Sequence, residues 1–419
     1  MRKSLSFKPS GPPNWRALQG FSTFLARRVG SGDEWVIGVG VRHQLEVREP
    51  GNGFKRLKAF LDEQNDWAFG HIAYGSGAEV EPGLVLRSDM NGWAAMQFFV
   101  PQFVIQWSPD MGEVHAFDGE VQKALALISE LNTPSDPAPE AGSMDWQRPE
   151  QAVYNERAAE LMAWIQRGDI YEVNFCQRRT ASAPGFDPFA AFGVMDHKLH
   201  ATHAAFYRSG DHFALCQSPE RFLLISGRTV TGEPMKGTRP RHADPATDKA
   251  LAMELAKDGK ERSENIMAVD VLRHDLSRVA ASGTVRVEEL CTVKSLPAVH
   301  QMTSTVTAEL RAGLHPVDVI CSCFPAASMT GAPKRRAMEL IEEAERNPRD
   351  LYSGTLGFFT PTGDADLNVV IRTVLFNRST GVASLTTGSA LTAQCGLEQE
   401  WEECELKARS VLDALGHAD

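Results

Sequence analysis

Four glutamates in two Glu-x-x-Glu pairs are the residues of this chain whose type and spacing best suit chemistry. Glu261 and Glu264 open the stretch KERSENIMAVDVLRHD at 260–275. Three residues apart, they fall on one side of a helix. From Ile266 to Leu272 every residue but Asp270 is apolar, so this helix has no clean wet face and is expected to be buried. A buried ionised carboxylate costs on the order of several kcal/mol unless something compensates it. A single cation compensates two, and hard oxygen donors point to Mg2+ rather than zinc or copper. Lys260 and Arg262 offer the other reading, a helix-end ion cluster, and this stretch alone leaves both open.

The second pair lies in LEQEWEECELKARSVLDAL at 397–415. Leu397, Trp401, Cys404, Ala408, Val411, Leu412 and Leu415 recur with helical spacing and form a core stripe. Charge flanks that stripe on both sides. Glu398, Glu402, Glu405 and Arg409 read as a solvated face with an i,i+4 pair. The other flank holds Glu400, Glu403 and Lys407. Glu400 and Glu403 are the pair that could meet Glu261 and Glu264 across a cavity.

Bringing two such helices together needs sheets for them to pack on. Runs at 35–41 and 97–107 are strand candidates, and 54–64 and 120–131 are helical in pattern. NTPSDPAPEAGSMDWQR, 132–148, is rich in Pro, Ser and small residues and reads as a connector. It separates an N-terminal α/β lobe, 1–131, from a larger region, 149–419, that is expected to share one sheet core with it. Ala158, Leu161, Met162 and Ile165 mark an amphipathic helix that Gly168 can end, followed by a strand at 170–176. Strands at 221–226 and 229–231 flank a Gly-containing turn, as in a hairpin. Runs at 355–360, 367–376 and 382–385, joined by PTGDAD and NRSTG, predict an antiparallel meander, because such turns are too short for parallel crossovers. Long helices at 246–280, 334–345 and 397–415 must pack on these sheets. The fold class is therefore α+β with antiparallel sheets.

With 419 residues the chain suits one large domain or two to three smaller ones. A formal charge of -11 argues against nucleic acid or an anionic membrane as main partner. A small anionic substrate needs only local positive groups. No apolar run reaches the ~20 residues of a membrane span. MRKSLSFKPSGPPNW lacks the apolar core of a signal peptide. Seven cysteines without a C-x-x-C read as reduced thiols of a cytosolic, cytoplasmic protein.

From about Tyr154 to Leu415 the chain resembles the chorismate-utilising enzymes: component I of anthranilate synthase and of aminodeoxychorismate synthase, with isochorismate and salicylate synthases as cousins. The resemblance is carried by YNERAAELMAWIQRGDIYEVNFCQR, SPERF, EPMKGTRPR, KERSENIMAVDVLRHD, PAVHQM, FPAASMTGAPKRRAMELI, YSGTLGF, NVVIRT and EWEECELKA, in family order. It implies large antiparallel sheets packed face to face with helices outside. It also implies that Glu261, Glu264, Glu400 and Glu403 hold Mg2+, which presents the ring carboxylate of chorismate. His300 then matches the residue that assists departure of the C4 hydroxyl. Tyr352, Arg372, Gly388, Ser389 and Ser328 match positions around the substrate. Arg372, in the run NVVIRTVLF taken as one strand, would need a carboxylate partner if buried. Lys407, one turn beyond Glu403, either reaches a substrate carboxylate or pairs with Glu403. Three stretches depart from the family pattern: Pro325-Ala326-Ala327-Ser328, Gly388-Ser389-Ala390, and Gln394 in place of an Asp.

Two positions bear on the reaction. Isochorismate and salicylate synthases carry a water-activating lysine where this chain has Glu172. Lys236, in EPMKGTRPR, matches the lysine proposed in the aminodeoxychorismate branch to add to C2. Burial, or the charge of Arg239, is expected to lower its pKa and free the amine. The implied activity is amination of chorismate at C4, toward p-aminobenzoate and folate. Anthranilate synthase component I is the alternative, and a non-catalytic or regulatory paralogue the reading from another class. The implied partner is a separate glutaminase subunit supplying ammonia, since none of the seven cysteines sits in the Gly-flanked turn that glutamine hydrolysis needs.

Overall fold

The computed structural model describes all residues except Met1, Ser31, 88–90, 135–143, 297–298 and 417–419. Most of the expected connector, and Pro297-Ala298 of the PAVHQM motif, therefore lie outside the described residues.

Two large sheets, antiparallel at every pairing, make the frame. In one, Arg2–Phe7, Gly112–Phe117, Phe103–Trp107, Trp35–Val39, Thr23–Arg28, Ala205–Ser209, His212–Cys216, Thr373–Asn377, Val382–Thr392, Glu172–Ser182 and Gly331–Ala332 follow one another. The other runs Met235–Pro240, Val299–Glu309, Thr229–Gly232, Arg221–Ser226, Ala365–Val369, Thr355–Phe359, Ala68–Ile72, Met96–Val100 and His43–Val47. Both sheets therefore contain strands from both ends of the chain, with those from before residue 118 grouped together at one side of each. Leu25, Val104, Tyr207 and Leu375 of the first sheet pack with Phe69, Phe99, Leu356 and Phe358 of the second, so the sheets lie face to face. Helices cover the outer faces: Val121–Leu131, Pro188–Leu199 and part of Leu397–Ala414 on one, Gly53–Gln64, Gly259–Ser277 and Pro316–Cys323 on the other. Gly168, at φ +83°, ends the Gln151–Arg167 helix in the left-handed conformation, as its position predicts.

Several elements differ from expectation. The run 367–376 is two strands: Ala365–Val369 belongs to one sheet and Thr373–Asn377 to the other. Arg372 lies in the crossing, at φ +51°, rather than mid-strand. The expected meander is thus two hairpins in different sheets. The run 97–107 is divided likewise into Met96–Val100 and Phe103–Trp107, with Pro101 in the break. Proline cannot donate to a ladder, which favours leaving the sheet there. The helix expected over 246–280 is two, Pro245–Lys257 and Gly259–Ser277, hinged at Asp258. The second of these is not buried all round. Glu264, Ala268, Val269, Leu272 and Leu276 face the core, while Ile266 is 43% exposed. Glu405, expected on a solvated face, is buried against Arg179 and Arg148.

Candidate active site

Asp258 fixes the first glutamate pair. Its side chain accepts from the backbone N–H of Lys260 (3.0 Å) and Glu261 (3.1 Å), capping the Gly259–Ser277 helix at the turn that carries the acids. Arg239 Nη2 holds Asp258 from the neighbouring strand at 2.8 Å. That strand passes over the helix at Gly237, where φ is +70° and an added Cβ would stand 2.9 Å from Glu261 Oε2. The second pair comes from the start of the Leu397–Ala414 helix, whose apolar stripe packs Trp401 and Cys404 below Tyr154 and Phe175.

The two pairs meet, with lysines among them. Lys260 pairs with Glu400 and lies 3.6 Å from Glu264. Lys407 pairs with Glu403 and donates to the carbonyl of Gly388 at 2.8 Å. Lys236 Nζ is 2.6 Å from Glu172 Oε1 and 3.9 Å from Glu264 Oε2. Glu220 completes the group, accepting from Ser328 Oγ at 2.7 Å and feeling Lys236 and Lys407. Acids outnumber bases here, and four of the carboxyls are raised, chiefly by burial. Burial pushes the carboxyls of Glu264 and Glu220 up to about 7 despite the nearby lysines. Burial, and then the charge of Glu403, raises Glu261; burial also raises Glu400. Burial acts upward on Glu403 too, but Lys407 beside it brings the net value down to about 2.

Lys236 departs from expectation. Burial pulls its pKa down, yet the carboxylates of Glu172 and Glu264 more than offset this, and the net shift is upward. Arg239, expected to act on it, is engaged by Glu254, Asp258 and Glu261.

The residues expected around a substrate divide into two groups. Tyr352 is buried, its hydroxyl 3.9 Å from Cys176 Sγ. Arg372 donates to Ser410 Oγ at 3.4 Å, and among the described residues no carboxylate lies within ion-pair distance of it. Its guanidinium feels Tyr352 and Glu403, so it borders the cluster. Gly388 faces Cys176 across the strand pair, with no room for a Cβ, which would stand 2.6 Å from that sulfur. Ser389 points the other way. Its hydroxyl meets Tyr154 at 3.1 Å in the helix layer, as strand alternation requires. His300 is buried, Nε2–H donating to Asp248 Oδ1 at 3.0 Å and Nδ1 meeting Ser295 Oγ at 2.9 Å. Neither ring nitrogen contacts the glutamate cluster.

Sequence reasoning gave no role to Glu220, and it treated Glu172 only as a missing base. Their signal was a carboxylate in a strand-like run otherwise bound for the interior: RFLLIS directly after Glu220, and EVNFC beginning at Glu172.

Four hard carboxylates on two facing helices fit Mg2+ by donor type, and Glu264 Oε1 and Glu400 Oε2 are buried without a hydrogen-bond partner. Among the described residues no three acids yet stand in a chelating arrangement; Lys260 lies between Glu264 and Glu400.

A family model described as chorismate binding enzyme matches residues 22–413. Component 1 of aminodeoxychorismate synthase from Salmonella typhimurium is 39% identical over 262 residues, 62% of this chain and 57% of that protein. Aminodeoxychorismate synthase from Streptomyces griseus is 43% identical over 61% of this chain and 35% of its own length. Component 1 of anthranilate synthase from Haloferax volcanii is 33% identical over 74% of this chain and 59% of its own. The chain thus spans well under two thirds of each of these curated relatives. Anthranilate synthase component I from Streptococcus pneumoniae superposes with a TM-score of 0.76 at 22% identity, over 98% of this chain and 92% of that one. The menaquinone-specific isochorismate synthase of Escherichia coli gives 0.76 at 18% identity, over 99% and 95%. These share the fold of two packed antiparallel sheets, and with a family match across nearly its whole length, this chain belongs to the chorismate binding enzyme family.

Proposed function

We propose that the chain is an enzyme that aminates chorismate at C4, giving 4-amino-4-deoxychorismate, with 149–419 as the chorismate-binding region. The observation that carries this reading is Lys236, an amine inside the carboxylate cluster whose side chain keeps only 11% exposure, 2.6 Å from Glu172. The 38–43% identity to aminodeoxychorismate synthases supports it.

Arg372, with no carboxylate of its own, binds the enolpyruvyl carboxylate beside Tyr352. Lys236 passes a proton to Glu172, and the freed Nζ forms a bond to C2; the ring electrons shift, the C4–O bond breaks, and the hydroxyl takes a proton from His300 and leaves as water. Ammonia then bonds to C4, the electrons return, the C2–Nζ bond breaks, the new C4 ammonium gives a proton back to His300, and the lysine amine is restored and takes its proton back from Glu172. The balance is chorismate plus ammonia giving the 4-amino product plus water. To serve as this acid, His300 has to leave Asp248. Glu261, Glu264, Glu400 and Glu403 would hold Mg2+, which when bound supplies Lewis-acid stabilisation of the ring carboxylate.

Chromatography of products from chorismate, an ammonium salt and Mg2+ tests the reading. A 4-amino product supports it. Anthranilate would move the chain to the alternative that the Haloferax volcanii relative favours, and no chorismate consumption would leave a non-catalytic paralogue. We further propose a separate glutaminase subunit as the ammonia source, so ammonium salts should serve and glutamine alone should not. Turnover with glutamine alone, in a preparation free of amidotransferase, would count against a partner.

A further inference from the structure

The Lys260 ammonium lies within the group of carboxylates proposed as a cation site, and any role for it there rests on that reading. It pairs with Glu400 Oε1 and lies 3.6 Å from Glu264 Oε1, so a single cation joins the start of one helix to the start of the other. Glu400 has no exposure, whereas the Lys260 side chain keeps 30%. The lysine has a way out to solvent that its partner lacks. Even so, Glu264 Oε1 and Glu400 Oε2 have no hydrogen-bond partner, so one ammonium leaves acceptor capacity unmet in a buried place.

Lys236 and Lys407 also lean on these glutamates, but each has a second anchor outside the four. For Lys236 it is Glu172, for Lys407 the carbonyl of Gly388. Lys260 has no such anchor among the described residues, since both its ion-pair partners belong to the proposed cation site. Of the three amines it is the one that can leave without breaking a contact the site would keep.

We propose that Lys260 is an internal counter-ion which a divalent cation must displace. It holds the two helix ends together while the cluster is metal-free and swings to solvent when the cation enters. Cation affinity at this site is then an exchange, one ammonium out for one dication in, and Lys260 lowers it.

Titration calorimetry with Mg2+ alone, on full-length protein stripped with chelator, tests this without any turnover. Lys260→Met should bind Mg2+ about tenfold more tightly than wild type, the equivalent of one partly buried ion pair. The gain should exceed that of Lys407→Met, which removes a charge from the same cluster without clearing the space between Glu264 and Glu400. Equal or weaker binding by Lys260→Met, or a gain no larger than that of Lys407→Met, overturns the proposal, because charge acting through space would then suffice. If Lys260→Met does not fold, Lys260→Gln, which keeps a donor for Glu400, is read in its place. Wild-type protein gives a second readout: Mg2+ should speed acetylation of the Lys260 amine, followed by mass spectrometry of its peptide. Unchanged or slower labelling overturns displacement. Absence of Mg2+ binding by every form sinks the cation site itself, and the inference with it.

Discussion

A primary amine attacks carbon only after losing its proton, and Lys236 is surrounded by groups that keep the proton on. Glu172 at 2.6 Å and Glu264 at 3.9 Å both favour the ammonium. The covalent route therefore needs that proton to move as the ring arrives, while a purely electrostatic role would leave it in place. Lys236→Arg separates the two, since arginine keeps the charge and cannot serve as the nucleophile. We expect the 4-amino product to fall about 100-fold or more. A largely active variant making the same product would leave Lys236 as a charge only. The glutamates make a matching prediction. Glu264→Gln or Glu403→Gln keeps the volume and removes a charge, so turnover should drop about 100-fold or more while the melting temperature holds. Near-normal turnover of either variant at ordinary Mg2+ would mean the cation is held elsewhere.

At the scale of elements, the site depends on where two helices begin. Asp258 ends one helix and caps the next, and its carboxylate orients the first turn that carries Lys260 and Glu261. Asp258→Ala should destabilise the protein by about 1 kcal/mol, as loss of an N-cap does. Because Arg239 also holds Asp258, the same change should loosen Glu261 and weaken Mg2+ binding. Denaturant melts with and without Mg2+ measure both, and an unchanged Mg2+ response would show that the cap does not position the acids. The preceding helix, Pro245–Lys257, buries only Leu255, yet through Asp248 it holds His300.

Across the whole molecule, a few buried polar contacts tie the sheets together. Arg27 on the Thr23–Arg28 strand of one sheet meets Asp366 on the Ala365–Val369 strand of the other at 3.2 Å. Arg221 shares that carboxylate at 3.4 Å. Asp366→Asn leaves a fully buried guanidinium without its charge partner, so we expect a loss of about 3–5 kcal/mol, read by urea unfolding. A loss under about 1 kcal/mol, the surface-pair range, would show the clamp to be idle. His71 supplies a pH signal from the same layer. It is fully buried, its Nε2–H donating to the carbonyl of Ala94 and its Nδ1 accepting from Tyr207, and burial lowers its pKa from 6.5 to about 4. The unfolded chain takes up this proton first as pH falls. Stability from this group is therefore complete above pH 6.5 and is lost toward pH 4, by up to about 3 kcal/mol. His71→Gln should flatten the slope of stability against pH in that window; an unaltered slope would assign the acid sensitivity to other groups.

Local patterns carried a good part of this protein. Glu261 with Glu264, and Glu400 with Glu403, share helix faces because three-residue spacing fixes that before any packing. Gly168 ends its helix because only the residue type and the preceding pattern matter there. The antiparallel class followed from short turns, and the family from motifs that retain their order. Other features depend on contacts far apart in sequence. The runs 97–107 and 367–376 read as single strands because both sheets bury them, so alternation does not register the change of sheet at Pro101 or Arg372. Glu405 read as solvated until Arg148 and Arg179, more than two hundred residues away, came to cover it. The sign of the Lys236 shift was set by Glu172 and Glu264, and the hold on His300 by Asp248. Charge–charge energies depend on distance and burial, and a chain written in one dimension contains neither.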